Sequence, residues 1–187
     1  GFELTPLERN RIRTYVLTGG YVFANASSGK EAFVESFMKE IQTIFPDRPW
    51  YRLPPDHPLF HSHFQLKQLR HKIETEFENR PPEVYGINVG CRAAVIFMPY
   101  DVACGWDGHT HDFGQRIDIE DARRFGVNLL AYALSYYRLG RTQAVARVFA
   151  DDSDVPADVE IAQVKHQGDW DPHPTAISNL MKTFAVS

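Results

Sequence analysis

Residues 19–29, Gly-Gly-Tyr-Val-Phe-Ala-Asn-Ala-Ser-Ser-Gly, join a short apolar run to a turn of small polar residues. The run 21–24 has the length and the aromatic and β-branched content of a buried strand. The pair Gly19-Gly20 before it is typical of the end of a helix, and a new helical pattern begins at Lys30 after it. Helix, strand, turn and helix in this order predict an α/β unit with a parallel sheet.

The two helices that flank this stretch carry their own start and stop signals. Thr5-Pro6-Leu7-Glu8 has the form of a capping box with proline at the first helical position, so we expect a helix to begin there. The helix after Lys30 ends at Pro46 and has one apolar face, formed by Ala32, Phe33, Phe37, Ile41, Ile44 and Phe45.

The middle of the chain is less regular. Residues 46–66 contain five prolines, which predicts an extended excursion over the surface. The charged stretch 65–79 predicts a further helix. Residues 84–89 and 93–98 predict two strands joined by a turn, and the second is apolar enough for the centre of a sheet. The longest helix is predicted over 119–138.

The chain divides into three parts by composition. Residues 1–140 predict a main α/β domain, residues 141–157 an acidic linker, and residues 158–187 a separate βα unit. A lone βα unit cannot bury its own apolar face, because parallel strands need neighbours. We therefore expect residues 158–187 to complete the main sheet, to complete that of a partner chain in a homodimer formed by exchange, or to begin a second domain.

Composition excludes several classes of function. The 187 residues include 20 Lys and Arg against 24 Asp and Glu, so no excess of positive charge predicts a nucleic-acid partner. No stretch approaches the ~20 apolar residues of a membrane span. We expect no bound cofactor. Both an exported or periplasmic and a cytoplasmic location stay open.

The two cysteines, Cys91 and Cys104, stand on either side of the strand predicted over 93–98. A strand of that length extends the chain by ~20 Å, so the following loop would have to double back to pair them. We expect two separate thiols rather than a disulfide, and the spacing is not that of a zinc or redox motif.

Four motifs together resemble a bacterial family known as domain of unknown function 4159. They come in the family's order, cover roughly residues 3–140, and are Leu17-Thr18-Gly19-Gly20-Tyr21-Val22-Phe23-Ala24, Ile44-Phe45-Pro46-Asp47-Arg48, Asp56-His57-Pro58-Leu59-Phe60 and Gly126-Val127-Asn128-Leu129-Leu130-Ala131-Tyr132-Ala133. Residues 160–180 resemble the strand and helix with which the family's members begin. The resemblance implies that the main domain lacks its usual first βα unit, and that this unit stands at the other end of the chain.

The resemblance also implies a fold. The family is similar to class I glutamine amidotransferases, which are flavodoxin-like: three layers, α/β/α, around a mainly parallel sheet. In that fold a sharp turn after a strand presents a nucleophile. Ser27 would stand where amidotransferases carry cysteine, with Asn25 and Ser28 beside it as binding residues. Serine is a poor nucleophile without a nearby base, and no His-x-Glu pair follows. The alternative is that Ser27 or Ser28 caps the next helix.

Histidines and tryptophans in polar loops supply the other candidates. Alternate histidines on an extended segment point the same way, so His61 with His63, or His109 with His111, could bind one divalent ion together with a carboxylate. No established ligand spacing is met, and solvated loops are the alternative. The remaining binding candidates are His57, Trp106, Asp107 and Trp170. The favoured alternative is a structural hydrogen bond for His57 and anchoring of a loop for the two tryptophans.

These observations favour a non-catalytic α/β binding or assembly module whose partner is an unidentified protein or small ligand. The absence of the amidotransferase cysteine and base is the reason. The alternative is a hydrolase or amidotransferase-like enzyme that uses Ser27, or a metal ion held by the histidine-rich loops.

Overall fold

The computed structural model describes residues 2–73, 75–109, 114–137, 161, 163, 165 and 173–186. Within these residues the strands are β1 (Val22–Asn25), β2 (Tyr51–Arg52), β3 (Leu69–Ile73), β4 (Glu76–Arg80), β5 (Tyr85–Val89), β6 (Arg92–Met98) and β7 (Arg116–Ile117). The α-helices are α1 (Pro6–Leu17), α2 (Glu31–Ile44), α3 (Ala103–Asp107), α4 (Ile119–Ser135) and α5 (Ala176–Ala185). None of these helices is long and apolar enough to cross a bilayer.

The strands form two small sheets. The first has the order β1-β6-β5-β2, with β1 parallel to β6 in the register Val22 to Val95 and the other pairs antiparallel. The second has the order β4-β3-β7 and is antiparallel throughout. Among the named strands of the described residues, β1 and β6 alone pair in parallel.

The predicted fold class is therefore wrong. The chain is α+β, and the described residues show neither a mainly parallel sheet nor the flavodoxin-like, amidotransferase-like arrangement that the resemblance implied. The decisive connection is the turn at Gly90 and Cys91, where Gly90 has a φ of +63°. A turn this short joins β5 and β6 as an antiparallel hairpin, whereas a parallel pair needs a crossover of a dozen or more residues.

The charged stretch 65–79 is not a helix but the hairpin of β3 and β4. Leu69 and His71 are buried while Arg70 between them is exposed, although Lys72 is buried as well, so burial alternates only at the start of β3. The guanidinium of Arg70 stacks on the ring of Phe77 across the hairpin, with its Cζ 4.5 Å from the ring centroid. Contacts between the two strands thus outweigh the helical propensity of the charged residues.

Helix boundaries follow the predicted signals more closely. Thr5 Oγ1 accepts a hydrogen bond from the Glu8 amide, and the Glu8 carboxylate accepts one from the Thr5 amide at 2.7 Å. The capping box is confirmed. Asp118 caps α4 by accepting from the amide of Glu120, and α2 buries one apolar face.

Strand β6 lies at the centre of the first sheet, as predicted, and all of its residues are buried. Ile96 and Met98 belong to an apolar cluster that includes residues of α3, α4 and α5. Val95 and Phe97 belong to a second cluster with residues of α2. Helices therefore cover both faces of this strand, which accounts for its uninterrupted apolar sequence.

The C-terminal helix α5 packs against α3 and α4 of the same chain. Its Ala176 and Leu180 are buried, and a Cβ at Gly126 of α4 would lie 2.3 Å from Leu180 Cδ1. The linker 141–157 and most of the strand expected before α5 lie outside the described residues. The division at 140 and 158, and a sheet completed by residues 158–187, stay predictions.

His71 is a buried titratable group in the second sheet. It is 1% exposed, its ring lies edge-on to Tyr100 at 4.6 Å, and neither ring nitrogen has a hydrogen-bond partner among the described residues. Burial, with a smaller contribution from the charge of Arg80, lowers the pKa of His71 to about 4. The folded state therefore holds this imidazole neutral.

We expect this burial to make stability depend on pH. Since the unfolded chain binds a proton near the ordinary pKa of 6.5, stability is full above that pH and declines as the pH falls towards about 4. We expect His71 to account for ~2 kcal/mol of the decrease in the free energy of unfolding between pH 7 and pH 4.5. Urea unfolding of the protein and of His71→Phe at both pH values isolates it. An equal decline in both proteins would contradict the prediction.

Candidate functional site

Polar residues follow β1 and β6 where these two parallel strands end side by side. A short 3-10 turn, Ser27–Gly29, follows β1, and Asp101 follows β6. Asp101 is 0% exposed; its Oδ2 accepts from the Ser28 amide at 2.8 Å and its Oδ1 from the Cys104 amide at 2.9 Å. The carboxyl ends of adjacent parallel strands are a usual place for ligand sites in mixed folds.

The strained residue of the turn is Ser28, not Ser27. Ser28 has φ 56° and ψ 14°, and it is the one residue other than glycine with a positive φ among those described. The carbonyl of Ser28 accepts from the Gln115 amide. Gly114 packs so closely that a Cβ there would lie 2.6 Å from that carbonyl oxygen. Residues 114 and 115 therefore restrain the conformation of the turn.

Neither serine caps the following helix. The residue before α2 is Lys30, and no side chain caps the helix there. The amides of residues 26, 28, 29 and 30 all donate to protein oxygens. Those four amides are thus committed to the fold rather than available to an oxyanion.

Helix α3 carries the second half of the site. Cys104 is buried, its thiol donates to the His109 carbonyl at 3.0 Å, and burial raises its pKa to about 11. It is therefore a protonated structural thiol rather than a nucleophile. Cys91 is exposed, and it forms no disulfide with Cys104, which confirms the prediction of two separate thiols.

Three side chains converge at the end of α3. Each of Asp107, His109 and His173 offers one atom that could bind a metal ion, and these atoms all lie within 4.8 Å of one another. Asp107 Oδ2 lies 2.5 Å from His109 Nδ1. The side chains of Asp107 and His109 are 2% and 73% exposed, and that of His173 is 14% exposed. The cluster has a buried carboxylate at its base and an open side at His109.

The second carboxylate oxygen of Asp107 is unsatisfied. Oδ1 is buried and has no hydrogen-bond partner among the residues that the structure describes. Burial of a carboxylate oxygen without a donor is costly, and such an atom calls for a bound ion or water. This orphaned oxygen is a second observation, independent of the convergence itself, that favours a cation here.

The backbone around α3 fixes the direction of these side chains. Gly108 ends the helix with φ 76°, which turns the chain so that His109 returns beside Asp107. Trp106 is buried and its indole N–H donates to the Ala122 carbonyl at 2.7 Å. Of the two roles considered for Trp106, the structure supports that of an anchor for α3.

The other candidates that the structure describes are not members of this cluster. His57 Nδ1 accepts from the Leu59 amide at 3.2 Å, and desolvation lowers its pKa. His61 and His63 join no metal-binding group within the described residues, and Asn25 pairs with Met98 at the end of β1. His111 and Trp170 lie outside the described residues.

Sequence reasoning missed two residues of the site, Asp101 and His173. Asp101 follows the most apolar strand, a position where a buried carboxylate would have been a reasonable hypothesis. His173 stands between Pro172 and Pro174. That setting restricts the backbone and was a usable signal. No local signal connects His173 to Asp107, which is 66 positions away in the sequence.

Comparison with models of protein families shows the family of this chain. The model of a family described as a domain of unknown function (DUF4159) matches residues 1–134. Neither the curated proteins nor the solved structures contain a match to this chain. The family model covers α1 to α4 and includes Asp101, Asp107 and His109, whereas His173 lies beyond it. Since the match spans well over half of the sequence, the chain belongs to the DUF4159 family.

Proposed function

We propose that this protein is a binding module for one divalent transition-metal ion of the zinc class, held by Asp107, His109 and His173. The observation that carries the proposal is the approach of their ligand atoms to within 4.8 Å of one another. Ligand atoms about 2 Å from a tetrahedral ion lie about 3.3 Å apart. Modest rotations of these side chains, of which His109 is the most exposed, would bring the three atoms to such distances.

The chemistry of the three ligands selects the class of ion. Two imidazoles and one carboxylate suit zinc and similar transition metals, whereas calcium and magnesium prefer oxygen ligands throughout. The carboxylate of Asp107, whose Oδ1 has no hydrogen-bond partner among the described residues, would supply a negative charge at the base of the site. Three protein ligands also leave a position for water or for a small ligand.

The ligands come from two different helical segments, so a bound ion would connect these segments. Asp107 and His109 belong to the end of α3, and His173 precedes α5, whose Ala176 amide donates to the His173 carbonyl at 3.0 Å. A bound ion would therefore fasten the C-terminal helix to the domain. The hydrolase alternative at Ser27 has weaker support, because the neighbouring amides and the Cys104 thiol are committed to structural hydrogen bonds.

Calorimetric titration of metal-free, untagged protein with zinc tests the proposal. We expect one equivalent to bind, and His173→Ala and Asp107→Asn to weaken binding by more than about 100-fold, since loss of a ligand exceeds the 10–100-fold typical of outer-shell changes. His61→Ala is the matched control, because His61 is exposed and outside the cluster. No binding by the parent protein, or equal loss in the control, would refute the proposal.

A further inference from the structure

We infer that Asp101 is a positioning residue of this metal centre, holding His173 by Nε2 so that Nδ1 binds the ion. The inference rests on the proposed function and extends it to a residue outside the three ligands. His173 Nε2 lies 3.4 Å from Asp101 Oδ2, within reach of a hydrogen bond. The contact joins a carboxylate that is 0% exposed to a ring on a segment 72 positions further along the chain.

Asp101 suits this role because two hydrogen bonds restrain its carboxylate against rotation. The amides of Ser28 and Cys104 donate to its two oxygens at 2.8 and 2.9 Å and fix the plane of the carboxylate. Both donors are backbone groups of rigid elements, the turn after β1 and helix α3. The position of Oδ2 is therefore fixed, and this oxygen can accept a hydrogen bond from His173 Nε2.

A neutral imidazole has one N–H and one lone pair, so a partner for one nitrogen determines what the other can do. If Nε2–H donates to Asp101, the lone pair on Nδ1 is the ligand. Carboxylates that accept from metal-binding histidines in this way orient the ring and raise its basicity. The same contact orients the segment that leads into α5.

The tautomer of His173 tests the inference in the unaltered protein. Long-range ¹H–¹⁵N correlation NMR of histidine-labelled protein, with His173→Gln to assign the signals, reports the state of each ring nitrogen. We expect Nε2 to carry the proton before and after zinc is added, and the Nδ1 resonance to shift with one equivalent. A shift of Nε2 instead would overturn the inference while leaving the metal site intact.

A pair of variants gives a second test. Asp101→Asn should weaken zinc binding 10–100-fold, the range typical of outer-shell partners, and should mix the His173 tautomers. Asp47→Asn is the control, since Asp47 is an exposed carboxylate paired with Arg48. Unchanged affinity and tautomer in a folded Asp101→Asn protein contradict the inference alone, whereas no zinc binding by the parent contradicts the proposed function. If Asp101→Asn does not fold, the NMR measurement on the parent decides.

Discussion

Replacement of Asn128 by leucine is expected to lower the free energy of unfolding by about 3–5 kcal/mol. Asn128 is fully buried in α4, and its side chain makes four hydrogen bonds to the proline-rich excursion. Oδ1 accepts from the amides of His63 and Phe64, and Nδ2 donates to the carbonyls of Leu59 and Phe64. Leucine has nearly the same shape but would leave these groups, which are buried or partly buried, without their partners.

Urea unfolding measures the effect, with Asn10→Leu on the exposed side of α1 as a control. The control should change stability by less than about 0.5 kcal/mol, as is usual for exposed positions. Hydrogen exchange should show loss of protection first in residues 59–66. A loss below about 1 kcal/mol in Asn128→Leu would mean that the excursion does not depend on this side chain.

Replacement of Arg92 by methionine is expected to cost about 3 kcal/mol. Arg92 is buried, and its guanidinium donates to the carbonyls of Val16 and Gly20, both at 2.8 Å. These carbonyls belong to the end of α1 and the glycine pair that follows. The Cζ of Arg92 also lies 4.6 Å from the centroid of the Tyr21 ring, which compensates part of the desolvation of the charge.

Methionine would fill the space but donate nothing, so the carbonyls of Val16 and Gly20 would each lose one hydrogen bond. Thermal unfolding of Arg92→Met and of Arg52→Met compares the buried arginine with an exposed one. Arg92→Lys should recover part of the loss, since its ammonium can reach one carbonyl. A more stable Arg92→Met protein would show that desolvation of the guanidinium outweighs its contacts.

Local signals in the sequence predicted much of the fold. The capping box at Thr5, the strand after Gly20 and the buried strand 93–98 all depend on contacts within a few residues or on composition. The prediction of a mainly parallel sheet was wrong because the order of helices and strands, and the family resemblance, were given more weight than the turn between β5 and β6. The short turn at Gly90 was visible in the sequence, and it was the evidence that β5 and β6 are antiparallel.

The candidate site was predictable only in part. Asp107 and His109 were both candidates, but in separate roles. Asp107 was a candidate binding residue, and His109 was a candidate metal ligand together with His111. The structure brings them together with His173, which comes from a segment beyond the longest helix. Such convergence follows from the packing of α5 against α3, and no periodicity or motif encodes it. Asn128 belongs to a family motif, yet its hydrogen bonds to the excursion required the structure.

Anomalous diffraction at the zinc absorption edge, from crystals of the protein grown with one equivalent of zinc, would locate the proposed ion. We predict a single strong peak about 2.0–2.2 Å from an oxygen of Asp107 and from one ring nitrogen each of His109 and His173. An anomalous peak confined to other histidines, or no peak at the end of α3, would contradict the account.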